Sequence, residues 1–206
     1  MEFFVQFLVS DLSLMEKISI FSILFPFTIS LVSERMPYII LFSMGSFLEI
    51  ISVAIYLGYI KVHILLLYHF YTSIELGLLA YILLDLIYYK YKVRVAVLLV
   101  VSAVIIDYLI GNYNNLDLEL TQYQSYILLI IGVYVGLKTS QLRYGVSYLL
   151  RNYKGWILLA VGFYCLNNLV FYSDHFTFLS INIIYNILMA VGIWRVYQFF
   201  LPLQSS

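Results

Sequence analysis

Seven apolar stretches follow one another along the chain, at about residues 18–34, 37–58, 62–88, 94–111, 124–141, 155–172 and 177–199. Each has the length of a bilayer crossing, which takes roughly 20 mostly apolar residues (range about 17–25). The breaks between them carry charge or turn residues: Glu34-Arg35 before Pro37, Gly58 to Lys61, Lys90 to Arg94, Gly111 to Gln124, Lys138 to Lys154, and Ser173-Asp174-His175. Helices satisfy their own backbone groups inside lipid and open strands cannot. The pattern therefore predicts an all-α, polytopic transmembrane bundle of about seven helices. Residues 1–14 read as a short interfacial segment and 15–206 as one domain. Met15 is an alternative start.

Composition sharpens this picture. Of the 206 residues, 64% are hydrophobic and 11% charged, where a soluble domain has about 25% charged. A water-soluble globule of this size has no room to hide so much apolar surface. The formal net charge is zero, so nothing points to nucleic acid. The single cysteine, Cys165, excludes an internal disulfide framework and a Cys-rich metal site. Orientation follows from the cations, which favour the cytoplasmic side. With the N-terminus outside, Arg35, Lys90, Lys92, Arg94, Lys138, Arg143, Arg151, Lys154 and Arg195 all fall inside, leaving only Lys17 and Lys61 outside. The C-terminus is then cytoplasmic. Aromatic residues gather at both edges, as interfacial belts do: Tyr88, Tyr89, Tyr91, Tyr153, Trp156 and Trp194 on the inner side, Tyr56, Tyr59, Tyr108, Tyr123 and Tyr172 on the outer.

Ionisable groups inside a span cost about 2.5–3.5 kcal/mol on insertion scales, so each needs a reason. Glu49, Glu75 and Asn186 fall near the middles of spans 2, 3 and 7. His69, Asn182 and Asn168 lie shallower, toward the outer face. Helical spacing groups them: Tyr71 with Glu75 at i,i+4, Thr72 with Glu75 and His69 with Thr72 at i,i+3, and Asn182 with Asn186 at i,i+4. These faces are expected to point into the bundle, lining a polar cavity in the outer half that narrows to Glu49 and Glu75. Glu49, His69, Thr72, Glu75, Asn168, Asn182 and Asn186 are thus the candidate ligand- or proton-binding residues. The alternative is that they serve only as interhelical hydrogen-bond glue. Asp85, among Tyr81, Tyr88 and Tyr89, is expected to bond a tyrosine or reach for the interface. The three histidines with Asp107 match no metal-ligand spacing, and neither metal nor cofactor is expected. Gly132 and Gly136 form a GxxxG pattern that allows close helix approach, first for packing within the bundle and second as a homodimer face.

Several chemistries lack their residues. The six lysines all lie at span ends or in loops, which argues against a retinal Schiff base. GxxxxGK, HExxH and GxSxG patterns are absent. An enzyme is therefore disfavoured, and so is a fused kinase, because the inner loops are too short. The stretches Leu67-Tyr-His-Phe-Tyr-Thr-Ser-Ile-Glu75-Leu, Leu48-Glu-Ile-Ile-Ser-Val and Asn182-Ile-Ile-Tyr-Asn-Ile-Leu-Met-Ala-Val-Gly-Ile-Trp194 resemble an uncharacterised family of small seven-helix inner-membrane proteins of Bacteroidota. The resemblance implies a bacterial inner membrane and no particular activity. It draws attention to His69, Thr72, Glu75, Asn182 and Asn186.

The reading expected from these features is a receptor-like or regulatory module with an outward-facing polar cavity, signalling through basic inner loops to a cytoplasmic or membrane protein partner. A small proton-coupled transporter, an intramembrane lipid hydrolase using Glu49 and Glu75, and a purely structural subunit remain open. A fluorescent protein fused after Ser206 should glow in bacterial cells, and alkaline phosphatase fused there should be inactive. The opposite pair of results would invert the topology.

Overall fold

The computed structural model describes residues 6–7, 9–60, 64–110, 118–141, 152–170 and 175–204, and these residues form helices with no strand among them. The helices are α1 (Leu14–Ser22), α2 (Leu24–Ser33), α3 (Met36–Tyr56), α4 (Ile64–Asp85), α5 (Lys92–Ile110), α6 (Leu118–Gln141), α7 (Tyr153–Val170) and α8 (His175–Gln204). Taking α1 and α2 as one interrupted rod gives seven. Among the described residues, four rods are long and apolar enough to cross a membrane: Leu14–Ser33, Met36–Tyr56, Leu67–Asp85 and His175–Phe199. The other three carry charged or amide side chains. Helix α5 carries Lys92, Arg94 and Asp107, α6 opens on Thr121, Gln122 and Gln124, and α7 holds Lys154, Asn167 and Asn168. Lys61, His63, Asp117, Arg143, Arg151 and Asp174 lie outside the described residues.

The first rod starts and breaks for local reasons. Ser13 caps α1: its hydroxyl accepts from the Glu16 backbone N–H at 3.2 Å, and its own N–H donates to Glu16 Oε2 at 2.7 Å. This reciprocal box satisfies two of the first-turn donors. Beginning the chain at Met15 would remove it. It would also remove Phe7, which is buried and packs edge-on against Phe21 at 5.4 Å, and Gln6, which accepts from the Tyr59 hydroxyl at 2.6 Å. The interruption at Ile23 sits just ahead of Pro26. Proline has no N–H to offer the carbonyl four residues back, and its ring crowds that carbonyl, here of Ser22.

The rods make a ring in which neighbours pack α2 on α3, α3 on α4, α4 on α6, α6 on α7, α7 on α8, and α8 back on α1 and α2. Helix α4 is the hub, touching α3, α5, α6 and α7, with Leu76, Leu79, Ala80 and Leu83 at the centre of the core. Helix α5 rides on the outside of α4. Its outer face, including Val97, Leu98, Val101, Ile105 and Leu109, is exposed. With Ile130, Val133 and Leu137 of α6, this forms an apolar exterior that a soluble monomer rarely shows.

Glycines decide how closely the rods approach, but not the pair expected. A Cβ on Gly132 or Gly136 would meet nothing within 4 Å. The GxxxG pattern therefore does not serve close packing inside the chain, because both glycines open onto a surface groove between α6 and α7. The close contacts are elsewhere. A Cβ on Gly77 would stand 2.3 Å from Val100 Cγ2 and 3.1 Å from the Ala96 carbonyl, and one on Gly192 would stand 2.8 Å from Ile157 Cγ1. Gly77→Ala should lower stability by about 1–3 kcal/mol, the usual cost of overpacking. Gly132→Ala should be neutral or stabilise by up to ~1 kcal/mol, the helix-propensity gain over glycine. Thermal midpoints of the two variants in detergent test this contrast.

Candidate functional site: a tyrosine-bound carboxyl in the bundle interior

Glu75 faces inward from α4, with 8% of its surface exposed. Its two carboxyl oxygens have separate partners. The Tyr71 hydroxyl, one turn earlier on the same helix, donates to Oε1 at 3.1 Å. The Tyr164 hydroxyl donates to Oε2 at 2.8 Å and reaches across the ring from α7. Tyr71 fits because α3 presents no side chain opposite it. An added Cβ on Gly45 would be 3.0 Å from the Tyr71 hydroxyl and 2.8 Å from Ile23 Cδ1. Gly45 thus joins the Ile23 break to the carboxyl centre.

Helix α8 closes the other side. Tyr185 packs at a tilt against Tyr164 with ring centroids 5.4 Å apart, and its buried hydroxyl has no hydrogen-bond partner among the described residues. Asn186, 2% exposed, donates to Ser22 Oγ at 2.8 Å, while its Oδ1 is buried with no hydrogen-bond partner among the described residues. One turn away Asn182 donates to Ser19 Oγ at 3.1 Å. The asparagines at i,i+4 on α8 thus meet serines at i,i+3 on α1, a two-rung polar seam beside the break. An orphaned buried polar group costs about 1–3 kcal/mol, and each one calls for an explanation. The Tyr185 hydroxyl and Asn186 Oδ1 are two such groups on α8.

The other candidates are dispersed rather than gathered here. His69 turns to α5, its Nδ1 2.9 Å from Asp107 Oδ1. Thr72 bonds back to the Tyr68 carbonyl at 2.7 Å, a local bond within α4. Glu49 is half-buried on α3 beside Tyr68, which itself bonds Ser52 at 2.7 Å. Asn168 is buried on α7, its Nδ2 without a hydrogen-bond partner among the described residues. The outward well expected to join all seven is therefore not the geometry at Glu75, where tyrosines fill the space. His175 takes a different direction from His69, its Nε2 3.3 Å from Glu16 Oε1. Among the described residues no three His, Cys, Asp or Glu side chains gather at metal-binding distance.

The opposite end of the bundle collects cations. Asp85 is bonded to Lys92 rather than to a tyrosine, because the turn after α4 brings the ammonium back over the helix end. Lys92 also lies over the Tyr81 ring at 5.1 Å, and Lys154 over Tyr88 at 5.2 Å. The bond to Asp85 holds the Lys92 ammonium above the ordinary lysine value. Arg35, Tyr38, Asp85, Tyr88, Lys92 and Tyr153 line one cavity of about 360 Å³ there.

Comparison with protein-family models, with curated proteins and with solved structures found no significant match.

Sequence reasoning missed Tyr164, Ser19, Ser22 and Gly45 as parts of one centre. Tyr164 is one of 21 tyrosines, and nothing in its spacing marks it. Ser19 and Ser22 carried a weak signal, two small polar residues at i,i+3 in an apolar stretch. In a double-mutant cycle, Ser22→Ala and Asn186→Ala should couple by about 0.6–1.7 kcal/mol, the range for interhelical hydrogen bonds in membranes. Additive losses would show that the seam carries no energy.

Proposed function

We propose that the chain is a multi-pass protein of a bacterial inner membrane, N-terminus outside and C-terminus cytoplasmic, acting as a non-enzymatic, receptor-like regulatory module. A proton or a small polar ligand engages the Glu75 centre. The change passes through the Ile23 break and α8 to the basic inner end, where a partner protein reads it.

The observation that carries this reading is the Glu75 bridge. One carboxyl ties α4 to α7 through Tyr164, beside an interrupted helix and two orphaned polar atoms. A carboxylate accepts from both phenols, whereas a protonated acid must donate one hydrogen bond itself. Gain of a proton, or of a ligand donor, therefore rewires the α4–α7 link. Discontinuous helices at a polar centre are a recurrent device of secondary transporters, and the Ile23 break is the one feature that favours the proton-coupled transporter as a second reading. All seven rods are read as crossing the bilayer, because the remaining three pack against the four apolar ones and expose apolar faces. The lipid hydrolase reading lacks support, since Glu49 neighbours Tyr68 and Glu75 bonds Tyr71 and Tyr164. A structural subunit is favoured by one fact, the full occupancy of both Glu75 oxygens.

Glu75→Gln separates the two. In lipid nanodiscs, the wild-type thermal midpoint should vary with pH or with an added polar ligand, and Glu75→Gln should fold but lose that response. A flat wild-type profile, or the same profile in both, would leave the structural role.

A further inference from the structure

One large cavity lies away from Glu75. It has a volume of about 1050 Å³ and opens to the surface between α2 and α8 near the start of α7. That exceeds the roughly 300–1,000 Å³ of pockets for drug-sized ligands. Its α8 wall is one helical face, Ile187, Val191, Arg195 and Gln198, spaced at i, i+4, i+8 and i+11. Phe25 and Ile29, also i,i+4, form the α2 wall.

The lining is graded along its length. The end toward the bilayer centre is apolar, with Phe25, Ile29 and Ile187. The other end holds Arg195, Gln198 and Asn152, with Trp194 at the rim. Arg195 is held in place by the Trp156 ring, its guanidinium carbon 5.5 Å from the ring centroid. From Ile187 to Phe199 the helix rises about 18 Å at ~1.5 Å per residue. One leaflet's hydrocarbon is roughly 15 Å, half of a core about 30 Å thick. The groove thus runs from the bilayer centre to the interface on the basic side, oily where acyl chains lie and cationic where phosphates lie. Arginine matches phosphate oxygens with its fork of donors.

We propose that this groove binds one membrane phospholipid, its phosphate held by Arg195 with Gln198 and Asn152 and its acyl chains laid along Phe25, Ile29 and Ile187. The site depends on the membrane placement of α2 and α8 and not on any response at Glu75. A bound lipid would brace α2 against α8, the two helices that flank the basic end.

The test uses the full chain, delipidated in a maltoside detergent, with phosphatidylglycerol, diacylglycerol and inorganic phosphate as separate probes. Native mass spectrometry should show one phosphatidylglycerol retained per chain, and the thermal midpoint should rise with that lipid alone. Arg195→Gln should weaken binding by roughly tenfold or more, the loss of a charge-assisted bond, with Arg195→Lys in between. Ile187→Trp, which fills the oily end at a surface position, should abolish retention without touching the phosphate end. Equal stabilisation by inorganic phosphate or by diacylglycerol would overturn the proposal. So would unchanged lipid retention in both Arg195→Gln and Ile187→Trp.

Discussion

Glu75 binds two tyrosines because nothing else is available to it. A carboxyl on the hub helix of a bundle whose exterior is oil has no water to turn to, so its oxygens take their partners from the neighbouring helices. Tyr71 supplies one from the same helix and Tyr164 the other from across the ring. That second bond fixes the rotation of α4 against α7. With α4 so turned, Leu76, Leu79 and Leu83 pack the core, Gly77 faces α5 and His69 meets Asp107. The tyrosine rings complete the arrangement by filling the interior around the carboxyl, which is why the centre is compact rather than a well.

The same constraint orders the rest of the molecule. Asparagines on α8 find serines on α1, and Asp85 finds Lys92 at the helix end. Partners run short at Tyr185 and Asn186 on α8, and also at Ser46, Gln124, Trp156, Asn167 and Asn168, among the described residues. Stability alone would favour apolar residues there. A carboxyl that bridges two helices beside a broken one is what gives the centre a functional reading.

The fold was legible in the sequence because hydrophobic length is a strong signal in lipid. The apolar stretches match the helices to within a few residues, and Glu34-Arg35, Gly58 and Lys90 fall in the breaks. Which groups meet was harder to read. The i,i+4 pair Tyr71–Glu75 was evident from helical geometry, since both residues lie on one rod. Tyr164, Ser19 and Ser22 were not, since contacts between rods depend on rotations that spacing within a rod leaves open. The GxxxG pattern misled for the same reason: Gly132 and Gly136 permit a close approach, and the close contacts fall at Gly77 against α5 and at Gly192 against α7 instead. The break at Ile23 was foreshadowed by Pro26, although the apolar run concealed it.

The bridge itself is the claim on which the account stands. Its most direct test is a double-mutant cycle of Tyr164→Phe and Glu75→Gln, read as unfolding free energy in bilayer-mimicking discs. A hydrogen bond across the ring predicts a coupling of at least about 1 kcal/mol. Additivity within about 0.3–0.5 kcal/mol would mean that the two side chains do not meet, and would contradict the bridge.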